Sequence, residues 1–255
     1  MSAIFSGQEA LLARPPLSRA VFVDKDGTLV ENLPYNVDPA RVRFTPNAME
    51  GLRLLCDNGY RLIVVTNQPG LAYGMFTRAA LTQLQLALAE MMQREGVHLT
   101  DFYACPHAPG PAGPVPGCLC RKPAPGLLRQ AARSHAIDLQ RSWMIGDILD
   151  DIEAGRRAGC RTVMLEMGNE TVWRLSPLRT PHLKAADLLD AARAIVAADA
   201  ADEAAKAAAQ PETLPPPIAP DSGAVRRGVA QAAFALQSAM ARTRGAGPAA
   251  TGPAR

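Results

Sequence analysis

The chain has 255 residues, 48% hydrophobic and 20% charged, with a formal net charge of +3. That length allows one large domain or two small ones, and the balance of apolar and charged residues excludes global disorder. No apolar run approaches the roughly 18–20 residues of a membrane span, and the start, MSAIFSGQEALLARPP, lacks the pattern of a secretory signal. Five cysteines, an odd number, suit thiol or metal chemistry in a reducing cytoplasm better than a disulfide framework.

After an N-terminal extension, 1–18, the chain alternates short apolar runs with helical spacing. AVFV at 20–23 predicts a buried strand ending at an Asp. Residues 47–58 predict a helix stopped by Gly59, and 62–65 a second strand. A long amphipathic helix follows over 77–94, then a short strand over 102–104. Residues 125–135 predict a helix with Pro near its first turn. Residues 143–145 predict a strand running into Gly-Asp, 150–158 a helix and 162–165 another strand. Strands alternating with helices imply parallel pairing by crossovers, hence an α/β, doubly wound, Rossmann-like sandwich over 19–196. In such sheets ligands bind beyond the carboxyl ends of the strands.

Composition shifts near residue 197. Nine of the 14 residues from 197 to 210 are Ala, and PETLPPPIAP then breaks the chain. Residues 197–220 are expected to be a linker, helical at most at its alanine-rich start, and 221–255 a basic, disordered tail. Val225, Val229, Phe234 and Leu236 could line a short amphipathic helix within 222–243. The tail holds five Arg and one Asp, so residues 1–220 carry a net charge of −1. The positive excess therefore says nothing about a nucleic-acid partner.

Four strand ends carry unusual polar content: Asp24-Lys25-Asp26-Gly27-Thr28, Thr66-Asn67-Gln68, Arg121-Lys122-Pro123, and Gly146-Asp147 followed by Asp150 and Asp151. Any one alone reads as a turn or a helix cap. All four in this order resemble the haloacid dehalogenase (HAD) superfamily of phosphohydrolases, over about residues 19–170. The resemblance implies an aspartyl-phosphate mechanism. Asp24 would attack phosphorus, and Asp26 would protonate the leaving oxygen and then activate water. Asp24 and Asp147, with the backbone carbonyl of Asp26, would hold Mg²⁺. Thr66 and Asn67 would hydrogen-bond the phosphoryl oxygens, and Lys122 would set a fixed positive charge beside them. Asp151 would orient the site from behind, with Asp150 facing solvent.

Cys105, His107, Cys118 and Cys120 form C-x-H…C-x-C within 16 positions, amid Pro and Gly. Four N/S ligands complete a tetrahedral Zn²⁺ site with no open position, so the zinc would be structural. It would stiffen APGPAGPVPG and fix Arg121 and Lys122 over the active site. Cys56 and Cys160 are expected to be buried structural thiols, and Trp173 to be packed. This loop is similar to that of the branch holding heptose bisphosphate and histidinol-phosphate phosphatases, and VTNQPGLAYGMFT and CRKPAPGLL resemble the heptose side. That branch implies that Arg121 binds the distal phosphate and that Asn32 to Tyr35 line the sugar pocket, with Gln68 also on the substrate side. Pro69, Tyr73 and Ile148 depart from the branch pattern, each removing a phosphate or sugar contact.

The segments after the first two motifs leave no room for an inserted cap domain. The expectation is a monomeric phosphatase with a minimal cap, acting on a small sugar phosphate, the 7-phosphate of a heptose 1,7-bisphosphate first. Histidinol phosphate and a phosphorylated nucleic-acid end are alternative substrates. An inactive zinc-stabilised binding module is the non-enzyme alternative, but such a module would not need Asp24, Asp26, Lys122 and Asp147.

Overall fold

A computed structural model describes residues 16–110 and 117–209. The chain divides after Ala207. Apart from Ala208 and Ala209, the second unit lies outside the described residues, as does the amphipathic stretch expected within 222–243. In chain order the elements are β1 (Ala20–Val23), α1 (Ala48–Asp57), β2 (Arg61–Asn67), α2 (Arg78–Arg94), β3 (Leu99–Cys105), α3 (Gly126–His135), β4 (Trp143–Gly146), α4 (Leu149–Ala158), β5 (Arg161–Leu165), β6 (Leu183–Ala185) and α5 (Leu188–Ala209). Short 3₁₀ turns occupy Pro39–Arg41, Pro69–Leu71 and Leu139–Arg141.

The strands form one parallel sheet in the order β3-β2-β1-β4-β5-β6. Val21 pairs with Leu62 on one side and Trp143 on the other. The central strands are buried on both faces, so their side chains alternate between two apolar layers. Val21, Val23, Leu62 and Val64 pack with Leu52, Leu84, Leu88 and Ile195. Ala20, Phe22, Ile63 and Val65 pack with Leu128, Met144 and Ala154 on the opposite face. The order reverses between β1 and β4, which makes their carboxyl ends the topological switch point where a ligand crevice opens.

Local signals explain the helix ends. Thr77 Oγ1 accepts the Ala80 N–H at 3.2 Å and caps α2. Gly159 closes α4 in the left-handed region, at φ 98°. β3 is longer than its three predicted residues, and as an edge strand it is only half-buried. β6 was not predicted: three residues, LKA, carry too little pattern to register, and pairing with β5 makes them a strand. Between β1 and α1, and between β2 and α2, the chain makes only turns and isolated bridges, so the cap is minimal.

The expected boundary at residue 196 falls inside α5. This helix runs to Ala209 and buries Asp199. The Asp199 carboxylate accepts Trp143 Nε1–H at 3.1 Å and bonds the Tyr60 hydroxyl and the Arg161 guanidinium. Arg161 lies over the Trp143 ring at 4.1 Å and Arg19 over Tyr60 at 4.3 Å.

Candidate active site and metal centres

β1 delivers Asp24 and β4 delivers Asp147 to the two sides of the switch point. Asp24 is 7% exposed and Asp147 2%. Gly27 turns the chain at φ 88° directly beneath them, and a Cβ there would stand 2.3 Å from Asp147 Oδ2. Only glycine allows both the turn and the close approach. Thr28 Oγ1–H donates to Asp147 Oδ1 at 2.7 Å and Asn169 Nδ2–H to Oδ2 at 2.8 Å, so both carboxylate oxygens are held. Burial and the Asp24 charge still push the Asp147 carboxyl up to about 6.

Lys122 reaches into this group from the loop before α3 and is 2% exposed. Its ammonium donates to Asp24 Oδ1 at 2.5 Å and to the Val65 carbonyl at 3.0 Å, and pairs with Asp151 Oδ1 at 2.6 Å. Burial pulls the lysine pKa down, but the two carboxylates outweigh it and raise it, so the ammonium is permanently charged. Asp151 is fully buried, and burial lifts its pKa well above the ordinary aspartate value, with the charges of Asp24 and Asp147 adding to the lift. It lies in the first turn of α4, paired with Lys122. Asp150 corrects the solvent-facing expectation. It is half-buried and pairs with Arg179 at 2.6 Å, and Arg179 also holds Glu153.

The second motif is tied into the lysine motif and the second aspartate. Both amide atoms of Asn67 are committed to the Lys122 main chain: Nδ2–H donates to its carbonyl at 3.1 Å and Oδ1 accepts its N–H at 3.0 Å. This clamp fixes where Lys122 enters. Gln68, expected on the substrate side, is buried. Its Nε2 donates to Asp26 Oδ2 at 2.9 Å and to Thr66 Oγ1 at 3.0 Å, so it braces the second aspartate. The other Asp26 oxygen meets the buried Lys25 ammonium. Burial raises the Asp26 pKa above the ordinary aspartate value, and Lys25 opposes that rise.

Cys105, His107, Cys118 and Cys120 converge at the end of β3 and the loop that follows, with ligand atoms all within 4.8 Å of one another. His107 Nδ1 lies 3.2 Å from Cys120 Sγ, and Cys118 Sγ lies 3.4 and 3.7 Å from Cys120 and Cys105. A tetrahedron with metal–sulfur bonds of about 2.3 Å has edges of about 3.8 Å, so the four atoms fit one zinc ion with slight opening. Burial raises the thiols of Cys105 and Cys120. The Arg121 N–H donates to Cys118 Sγ at 3.3 Å, and its guanidinium donates to the His107 carbonyl at 3.2 Å. Arg121 thus leans on the sulfur cluster. Asn32 and Tyr35 stand exposed on the loop after β1.

Residues 119–191 match the HAD-hydrolase-like family model. The D-glycero-β-D-manno-heptose-1,7-bisphosphate 7-phosphatase of Mesorhizobium japonicum is 36% identical over 65% of this chain and 78% of its own. The Helicobacter pylori (strain J99) enzyme of that name is 36% identical over 65% and 88%. The chain belongs to the HAD phosphatases, in the heptose-bisphosphate 7-phosphatase family. The Photorhabdus laumondii relative, 34% identical over 60% of this chain and 85% of its own, is named for the α anomer. Among solved structures, a HAD-like phosphatase from Mesorhizobium loti aligns with a TM-score of 0.61 at 32% identity, over 71% of this chain and 87% of that one. The D,D-heptose 1,7-bisphosphate phosphatase of B. bronchiseptica, complexed with magnesium and phosphate, aligns with a TM-score of 0.61 at 27% identity, over 71% and 99%.

HAD phosphatases are Mg²⁺-dependent phosphoric monoester hydrolases, and this chain's donors fit the ion. Asp24, Asp147 and Asp151 bring three buried carboxylates within 4.8 Å, and among the described residues Lys122 is the cation paired with Asp24 and Asp151. A divalent cation on hard oxygen ligands offsets the remaining charge. Sequence reasoning missed Asn169 and Glu170. Glu170 Oε2 accepts the Leu149 N–H at 2.8 Å, so this pair clasps both Asp147 and the start of α4. Their signal was the polar GNET, separated from β5 by two residues, on the same carboxyl edge as the other motifs. Trp173, expected to be packed, is 53% exposed on the same loop.

Proposed function

We propose that this HAD phosphatase removes the 7-phosphate of D-glycero-D-manno-heptose 1,7-bisphosphate in the cytoplasm, with Mg²⁺ at Asp24, Asp147 and the Asp26 carbonyl and Zn²⁺ on the four Cys/His ligands. The observation carrying it is the joining of a complete strand-end set to a Cys₃His loop, in a chain 36% identical over 65% of its length to relatives of that name. Phosphate monoesters hydrolyse extremely slowly in water, so the site must hold the phosphoryl in line and offset its charge. Bound Mg²⁺ would supply the larger part of that charge. Lys122 holds one oxygen of Asp24 and orients the carboxylate for attack on phosphorus. Asp26 protonates the departing sugar oxygen as the aspartyl-phosphate forms on Asp24, then takes a proton from the water that hydrolyses it. Thr66, at the end of β2, faces the phosphoryl oxygens, and Asn67 serves through Lys122. Arg121, set by the sulfur cluster, holds the distal phosphate.

A phosphate-release screen with Mg²⁺ tests the reading. Its arms are both anomers of the heptose bisphosphate, histidinol phosphate and a 3′-phosphorylated oligonucleotide. The expected result is a kcat/KM for one heptose anomer at least about 100-fold above the other two classes. Equal or better turnover of histidinol phosphate or the oligonucleotide overturns the substrate assignment.

A further inference from the structure

An open cleft of about 790 Å³ lies along the loop between β5 and β6. Its inner wall borders the reacting groups: Pro123 follows Lys122, Ile148 follows Asp147, and Asn169 donates to Asp147 Oδ2 at 2.8 Å. Val172 and Leu175 add apolar surface farther out. The size is that of a small-molecule site, and the chemistry at Asp24 uses none of the outer wall.

Three arginines line the cleft, and two of them are spent. Arg157 pairs with Glu153 at 2.6 Å, and Arg179 pairs with Asp150 and Glu153, both at 2.6 Å. Glu170, the remaining acid of the lining, accepts the Val172 N–H on Oε1 at 2.7 Å and the Leu149 N–H on Oε2 at 2.8 Å. Arg174 is exposed and pairs with no carboxylate among the described residues. The loop that carries it is moored at its base, through Asn169 to Asp147 and through Glu170 to the start of α4.

We infer that Arg174 is a specificity-determining residue: its guanidinium receives the second phosphate of a bisphosphorylated sugar whose scissile phosphate lies at Asp24. A phosphomonoester carries a charge of about −1.5 to −2 at pH 7, so one guanidinium leaves about half of it unmatched. Arg121, on the Lys122 side, already gives one N–H to the His107 carbonyl. Arg174 adds a second charge from the β5–β6 loop, on a planar fork that binds phosphate oxygens in pairs. The inference rests on the sugar-bisphosphatase reading of the same site.

The test measures kcat/KM of the full Mg²⁺-loaded chain on heptose 1,7-bisphosphate and on heptose 7-phosphate. Arg174→Ala should lower the bisphosphate-to-monophosphate ratio about tenfold, mainly through KM. Arg157→Ala, in the same cleft but on a guanidinium held by Glu153, should keep the ratio within about twofold. A ratio unmoved in Arg174→Ala, or lowered equally in Arg157→Ala, overturns the inference, as does a wild type with no preference for the second phosphate. If wild type ignores both heptose phosphates but cleaves a hexose bisphosphate, the heptose assignment fails while the ratio on that hexose and its monophosphate still decides Arg174.

Discussion

The molecule holds two ligand clusters built on opposite principles. The aspartate cluster sits at the ends of buried central strands, where oxygen donors are fixed by the sheet register whether or not an ion is bound. The sulfur cluster gathers one residue from the end of an edge strand and three from a Pro- and Gly-rich loop, which has little apolar surface with which to hold a shape. The first is a site the fold makes for an ion; the second is a stretch of fold that an ion would make. They meet at one dipeptide, Arg121-Lys122, whose arginine leans on the sulfurs and whose lysine pairs with the aspartates.

The sharpest break between them is Asp24→Asn. Turnover should fall by about 10⁴-fold or more while circular dichroism and zinc content stay those of the wild type. Retention of a few per cent of activity would remove Asp24 as nucleophile. Cys118→Ser should do the reverse: loss of zinc by elemental analysis, a melting temperature lower by about 5–10 °C, and activity falling with it. One equivalent of zinc retained at full stability would contradict the structural role.

Asn169→Ala should weaken Mg²⁺ binding by about fivefold, since one of two hydrogen bonds that hold Asp147 is lost. Calorimetric titration measures it, and an unchanged Kd would show that Thr28 alone suffices. The smallest effect is in pH. Asp26, Asp147 and Asp151 all have raised pKa values in the fold. Between the ordinary aspartate range and about 6 the metal-free fold binds more protons than the unfolded chain. The stability Asp147 contributes is therefore full below that range and is lost as pH rises through about 6, with Asp26 and Asp151 acting in the same direction. Mg²⁺ competes with those protons, so its stabilising effect should grow by about 5 °C from pH 5 to pH 7.5 in thermal melts. A gain independent of pH would mean the ion does not sit on these carboxylates.

Legibility in the sequence followed the range of the interaction. The strands AVFV and the 62–65 run are buried on both faces, so continuous apolar character marks them without any partner being known. The DKDGT turn and the C-x-C pair are local chemistry at fixed spacing, and both appear where their residues place them. Asn67 and Gln68 were found as polar strand-end residues, but their partners within the fold were not. Their partners, 55 and 42 positions away, are supplied by the crossing of loops at the switch point. Asn169 was missed for the same reason, since its bond to Asp147 depends on β5 lying beside β4.

The Asp199 carboxylate draws a line through the chain that composition does not. The alanine-rich shift begins near residue 197, yet the body of the protein extends to Ala207. Cutting at the compositional seam would strip the acceptor from a buried indole N–H and a tyrosine hydroxyl on two separate strand ends, each at a cost of about 1–3 kcal/mol. Asp199 works as a keystone set from outside the arch. Proteolysis or a stop codon at 196 would therefore be felt at the foot of β4, the strand whose other end presents Asp147.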